Sequence, residues 1–197
     1  MENSIKDKNK IKNVYQFKIT LSEVKPLIWR RIIVPENYSF WDFHVAIQDA
    51  MGWTDSHLHE FITKFPGGIL KISIGIPDED GFEGEKEILP GWKYKIKRFF
   101  TLKNSKADYI YDFGDYWQHK VQLEKIFPAE QGIVCPICIA GKRACPPEDC
   151  GGLSGYEEII DGTSEFQEAY GNYDPEYFDP DEIYFDDPKE RLKFMLE

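Results

Sequence analysis

Tyr15, Phe17, Ile19 and Leu21 alternate with Gln16, Lys18 and Thr20. A period of two predicts a half-buried strand. Pro26 sits in a turn and Ile28 to Val34 reads as a second strand, so the pair predicts a hairpin. From Ser39 to Gly52 the period changes. Phe40, Phe43, Ile47, Ala50 and Met51 recur at three- and four-residue spacing and share one face of a helix. Ser39 followed by Asp42 is a capping-box pattern, and Gly52 suits the helix end.

Alternation returns from His57 to Phe65, with His57, His59, Phe61, Thr63 and Phe65 on one side. Pro66-Gly-Gly predicts a turn, Leu70 to Ile76 a strand, and 77–91 a loop. Residues 107–125 predict another hairpin. Tyr109, Tyr111 and Phe113 alternate on one arm, Gly114-Asp115 turns, and Trp117, His119, Val121 and Leu123 alternate on the other. Gly155 to Tyr170 reads as partly helical. Two prolines make Asp174 to Glu182 an ordered surface wrap rather than a helix. A final helix starts at Asp187-Pro188, with Glu190 in the capping-box position, and runs to about Leu196.

The expected class is α+β: a mainly antiparallel sheet built from hairpins, packed by a helix in the N-terminal half and by C-terminal helices. Residues 1–13 read as a disordered, lysine-rich lead-in. Residues 14–197 read as a single domain, with a cysteine loop at 130–155 and an acidic segment at 156–197.

Charge sharpens this division. Residues 145–197 hold 16 acidic against 3 basic side chains, a balance of −13 in a chain of net −11, so the remainder carries +2. An acidic third repels phosphate backbones, so broad nucleic-acid binding is disfavoured. Lys93, Lys95, Lys97, Arg98 and Lys103 form a local basic run, read first as a solvated edge strand and second as a DNA contact. The polar N-terminus lacks the apolar stretch of a secretory signal, and no apolar run is long enough to span a bilayer. A cytoplasmic protein is the expectation.

All four cysteines fall in one stretch, Cys135, Cys138, Cys145 and Cys150, spaced C-x2-C-x6-C-x4-C. Thiolates on a turn-rich loop can converge on one tetrahedral ion, and zinc is the expected cofactor. Four thiolates would close the coordination, so such a zinc is structural. The alternatives are packed free thiols, or a mixed site with a histidine.

His57 and His59 share a strand face at a chelating spacing. His119 lies on another strand. With Asp112 or Asp115 these form a candidate pocket: His57, His59, Asp112, Asp115 and His119. Each histidine can equally be a core-edge group held by a carboxylate. Asp112, Asp115, Glu148 and Asp149 can equally cap backbone amides. Arg30, Arg31 and Arg143 are candidates to neutralise them. His44 on the helix has no evident partner. The chain carries no Walker loop, G-x-G-x-x-G, G-x-S-x-G or H-E-x-x-H.

Several blocks occur together and in order: Leu27-Ile-Trp29-Arg30-Arg31; Ser39-Phe-Trp-Asp-Phe-His44 through Gly52-Trp53; His57-Leu-His59-Glu-Phe61; Tyr111-Asp-Phe-Gly-Asp115-Tyr-Trp117-Gln-His119; Arg143-Ala-Cys145-Pro-Pro-Glu-Asp149; and Tyr173-Asp-Pro-Glu-Tyr-Phe178-Asp. Over roughly residues 14–185 the chain resembles the plasmid pRiA4b open-reading-frame-three-like proteins. The resemblance implies a single α+β domain, with Cys138 and Cys145 closer to the family pattern than Cys135 and Cys150. It carries over no catalytic residue. A serine resolvase, one label attached to such proteins, needs a nucleophilic serine among arginines, and this chain has no such cluster.

Function is therefore expected to be non-enzymatic: a binding or adaptor domain with a structural zinc loop and a protein or peptide partner. The competing expectations are a metal-dependent enzyme using the His/Asp cluster and a mobile-element accessory protein contacting DNA.

Overall fold

A computed structural model describes residues 11–77, 87–130, 134–165 and 167–197. Eleven principal elements follow in order: β1 (Asn13–Leu21), β2 (Trp29–Pro35), α1 (Phe40–Met51), β3 (His59–Thr63), β4 (Ile72–Gly75), β5 (Ile88–Pro90), β6 (Lys106–Tyr111), β7 (Trp117–Pro128), β8 (Ile137–Lys142), α2 (Gly152–Asp161) and α3 (Pro188–Leu196). The strands form one sheet in the order β5-β4-β3-β6-β7-β1-β2-β8. Every pairing is antiparallel except β4 with β5. The α+β class with a mostly antiparallel sheet is thus the observed one.

Period-two patterning places the strands as expected. Phe17, Ile19, Leu21, Tyr109, Tyr111, Val121 and Leu123 project into a common core. Between Gln16 and Phe17 the β1–β7 register shifts by a bulge at Glu124. That carboxylate takes two hydrogen bonds from Arg31, at 2.7 and 2.9 Å.

α1 starts where the capping box puts it. Asp42 N–H donates to Ser39 Oγ and Ser39 N–H donates back to the Asp42 carboxylate. It ends at Gly52, whose φ of 95° is left-handed. The apolar stripe Phe40, Phe43, Ile47, Ala50, Met51 packs on the sheet, with Phe43 stacked on Phe61 and touching Phe17. The opposite face is buried as well. Trp41, His44 and Gln48 lie under other parts of the chain, so α1 is enclosed on both sides.

α3 supplies part of that cover. Its N-cap Asp187 accepts from Lys189 N–H, and Trp41 Nε1–H donates to Pro188 O. Arg191 bridges Asp49 of α1, Asp186, and Asp55 at 3.6 Å. α3 buries no residue of its own, so polar contacts hold it in place.

Three expectations are revised. Two strands appear inside stretches read as loops. β8 lies within the cysteine loop and pairs with β2, and β5 lies within the stretch 77–91 and pairs with β4. The basic run is not an edge strand but contains two 3-10 turns, Gly91–Lys93 and Ile96–Arg98. His57 lies before β3 rather than within it, because the ladder opens with His59 paired to Tyr111. The expected disorder of 1–13 falls largely outside the described residues, and β1 already includes Asn13. Most of the 77–91 loop is likewise outside them. No helix among the described residues is long and apolar enough to cross a membrane.

Asp49 is nearly sealed from solvent, with a side chain 4% exposed against 22% for Arg191. Arg191→Met removes the cationic partner of that carboxylate and leaves it the Asp186 N–H. The expected loss is about 3 kcal/mol, the low end for breaking a buried ion pair. Urea unfolding should show it, with faster amide exchange across 188–196 than across β1. An unchanged midpoint contradicts the role given to Arg191.

Candidate functional site

Three segments meet beyond the C-terminal end of β6: residues 53–58 after α1, the 112–116 turn between β6 and β7, and the 145–152 loop before α2. Trp53 begins the assembly. Its Nε1–H donates to Pro146 O at 2.9 Å, and its indole stacks on Tyr111. Glu148 then fastens the segments together. It accepts from Thr54 N–H, from Thr54 Oγ1–H and from Tyr111 O–H, at 2.7, 3.0 and 3.0 Å. Asp115 accepts from Gly151 N–H, and Asp112 Oδ1 accepts from Gly114 N–H. A side chain at Gly152 would meet Asp115 O at 2.8 Å, and the local φ is 66°, so the close approach of loop and turn requires glycine.

Three aspartates at this junction, Asp55, Asp112 and Asp149, hold φ between 52° and 60°. Such left-handed positions cost of order 1–3 kcal/mol each unless the surroundings impose them, and they concentrate at functional sites.

The structure divides the candidate pocket. His57 Nε2 faces Asp149 Oδ1 at 2.9 Å and Asp112 Oδ2 at 3.7 Å. His59 instead stacks on His44, ring centroids 3.4 Å apart. Asp115 serves the backbone. His119 is buried between Trp53 and Tyr109. Two groups of three ligand atoms therefore lie within 4.8 Å of one another: His57–Asp112–Asp149 and His44–Asp55–His59.

Two members of the second group, His44 and Asp55, belong to a closed hydrogen-bonded ring. Gln48 Nε2–H donates to Tyr109 Oη, and Tyr109 O–H donates to His44 Nδ1, each at 2.9 Å. His44 Nε2–H donates to Asp55 Oδ1 at 2.6 Å, and Asp55 N–H returns to Gln48 Oε1 at 3.2 Å. A carboxylate at Nε2 fixes the proton there, leaving Nδ1 as the acceptor. Burial, then the Arg191 charge, hold His44 well below the usual imidazole range. Burial raises the Asp55 carboxyl. Burial, then neighbouring His44, likewise lower His59, whose two ring nitrogens have no hydrogen-bond partner among the described residues. Burial holds His119 down to about 3, and the nearby Tyr109 and Trp117 backbone does not reach hydrogen-bond geometry.

The four sulfurs have different nearest neighbours, although Cys138 and Cys145 both lie near the buried Arg30 guanidinium. Cys145 lies 3.2 Å from Met51 Sδ, Cys138 approaches Ala140 O, Cys150 approaches Gly152 O, and Cys135 is half-buried near Tyr38. Among the described residues no metal-ligand group includes a cysteine. The physical reason is β8, an extended segment lying between Cys135 and Cys145 that carries Cys138 on β2's neighbour. Burial pushes the Cys145 and Cys150 thiols up to about 12.

The three arginines do not serve this junction. Arg31 holds Glu124, Arg143 holds Glu176, and buried Arg30 donates to three carbonyls, those of Ala50, Trp29 and Lys142.

A cavity of about 650 Å³ opens beside His57. Trp41, Leu58, Ile76, Phe194 and Met195 are its apolar lining, and Asp55, Ser56, His57, Glu190 and Arg191 line it as well. α3 forms one side. Sequence reasoning missed Asp55 and left His44 unpartnered. The available signal was Trp41, His44 and Gln48 at i, i+3 and i+7, a second stripe on α1.

The sequence blocks that flank this junction are the ones by which the chain can be placed. The pattern described as "Plasmid pRiA4b ORF-3-like protein" matches residues 13–186. The chain belongs to that family. The uncharacterised protein y4hQ of Sinorhizobium fredii (strain NBRC 101917 / NGR234) is 34% identical over 158 residues, covering 79% of this chain and 75% of the relative. The crystal structure of MM3350 from Methanosarcina mazei Go1, a protein of unknown function, superposes with a TM-score of 0.81 at 45% identity, covering 89% of this chain and 99% of that one. The fold is therefore shared with MM3350.

The buried histidines set a pH dependence. Their folded values lie below the unfolded 6.5, so as pH falls through 6.5 the unfolded chain takes up protons that the folded chain refuses. Stability is complete above that value and declines below it, by about 1.4 kcal/mol per pH unit for each such histidine. Raised Asp49 and Asp55 act in the opposite sense at lower pH. Urea unfolding at pH 7.5, 6 and 5 should show a falling free energy. A flat or rising profile contradicts neutral burial.

Proposed function

We propose that the protein is a binding domain whose partner presents an apolar group to the cavity beside α3. The observation that carries this reading is the cavity's make-up. Its volume lies in the range of ligand sites, and its lining combines apolar side chains with a few polar ones. The polar groups beside it favour binding over acid–base catalysis, because His44 and Asp55 are already committed to the ring with Tyr109 and Gln48.

A peptide segment of a partner protein suits this site. Phe194 lines the cavity yet remains 85% exposed, so it offers uncovered apolar surface at the rim. An inserted apolar side chain removes that surface from water at about 25 cal/mol per Å². The Glu190 carboxylate in the lining can receive backbone or amino-terminal N–H groups of the peptide. A metal-dependent enzyme is the second reading, favoured by the meeting of His57 with Asp112 and Asp149.

Peptides selected from a displayed library against the intact chain test this. Those binding in calorimetry should lose at least about tenfold in affinity with Phe194→Asp or Met195→Arg, as expected for residues at the centre of an interface. Both sites are on a helix without buried residues, so unfolding midpoints should stay near the parent value. Selected peptides that bind both variants unchanged, or a library that yields none, rejects the cavity as the binding site.

A further inference from the structure

We propose that His57, Asp112 and Asp149 form a site for one divalent first-row metal ion at the junction of the 53–58, 112–116 and 145–152 segments. This inference does not rest on the peptide reading. It rests on donors that converge without satisfying one another.

His57 Nε2, Asp112 Oδ2 and Asp149 Oδ1 all lie within 4.8 Å of each other. The distances from His57 Nε2 are 2.9 Å to Asp149 and 3.7 Å to Asp112. Ligands on adjacent corners of an ion at about 2.1 Å are about 3 Å apart, so small adjustments complete the shell. His57 Nε2 is sealed from solvent and makes no hydrogen bond among the described residues, although it points at two carboxylates.

Charge balance argues the same way. One imidazole cannot neutralise two carboxylates. Among the described residues the ion pairs of Asp112 and Asp149 are with His57 alone. Arg31 and Arg143 are spent on Glu124 and Glu176. A divalent cation matches the local charge.

One donor is oriented from behind, and the loop carrying another is anchored. Gly114 N–H holds Asp112 Oδ1, which leaves Oδ2 free. Glu148, clamped by Thr54 and Tyr111, holds the loop carrying Asp149. Such outer partners are what metal ligands require. Asp149 is 72% exposed, so the remaining coordination positions face solvent. One nitrogen with two carboxylate oxygens suits Mn²⁺, Fe²⁺, Co²⁺ or Zn²⁺ more than the all-oxygen shell that Ca²⁺ takes.

The group His44–Asp55–His59 is the weaker alternative. Both His44 nitrogens are engaged, and the Arg191 guanidinium stands 3.6 Å from Asp55.

The test is Mn²⁺ titration of the chelator-stripped full chain, followed by the free-ion electron spin resonance signal, with Zn²⁺ calorimetry in parallel. About one ion per chain is expected. Asp149→Asn should weaken uptake by more than the roughly 10- to 100-fold typical of losing an outer partner. Asparagine tolerates the left-handed backbone at 149, and the side chain is exposed, so this variant keeps the fold. His57→Asn should act alike. Asp149→Asn leaves the cavity wall intact, so peptide binding is expected to persist in it. The proposal is overturned by absence of uptake at about 1 mM ion, the weak limit of biological sites. It is equally overturned if uptake survives Asp149→Asn and is lost instead with Cys138→Ser or His59→Asn.

Discussion

Burying an imidazole, a phenol, a carboxamide and a carboxylate side by side is tolerable only if each satisfies another. The ring of Gln48, Tyr109, His44 and Asp55 meets that condition, and much else follows from it. Two members come from α1, one from β6 and one from the segment after α1. The ring therefore fixes the helix on the sheet and, through Asp55, fixes the path of residues 53–58. That path determines where Thr54 can clamp Glu148 and where His57 can point. Leaving a buried member of such a ring unpaired costs about 1–3 kcal/mol, so geometry at the surface is inherited from hydrogen bonding in the interior.

This dependence explains which parts of the molecule could be read from the chain alone. Strands with one wet face announce themselves by alternation, and β1, β2, β6 and β7 stand where alternation put them. α1 was legible at both ends because Ser39, Asp42 and Gly52 meet backbone requirements that are local. β8 was not legible. Its six residues, Ile137 to Lys142, sit beside prolines and glycines that read as loop, and their strand character comes from pairing with β2. β5 is three residues long and joins the sheet in parallel, for which no short-range signal exists. Local pattern reports local physics, and these two strands are products of tertiary pairing.

The site illustrates the same limit from the chemical side. His57, Asp112 and Asp149 lie in three sequence blocks that were visible as chemistry, but spacing cannot tell which way a side chain faces. His57 and His59 are two residues apart, and a continuous strand would have put them together. The strand begins only at His59, so His57 is released toward the aspartates while His59 packs against His44. The cysteine stretch presents a related lesson. Its prolines and glycines do stiffen a loop, and in the structure what that loop carries to the junction is Glu148 and Asp149.

The acidic C-terminal third can now be given a physical place. Its residues are not a detached tail. Tyr173 O–H donates to Cys145 O, Glu176 holds Arg143, and the Phe178 ring lies 3.9 Å from the buried Arg30 guanidinium. A side chain at Gly141 would collide with that same ring. The segment thus wraps over β8 and the loop before α2, then ends in α3 beside α1. Its path closes one side of the cavity while leaving His57 at the edge between cavity and junction. An ion at His57 and a ligand beside it would share that residue and the 53–58 segment, while the 112–116 turn and the 145–152 loop belong to the ion site and α3 to the cavity.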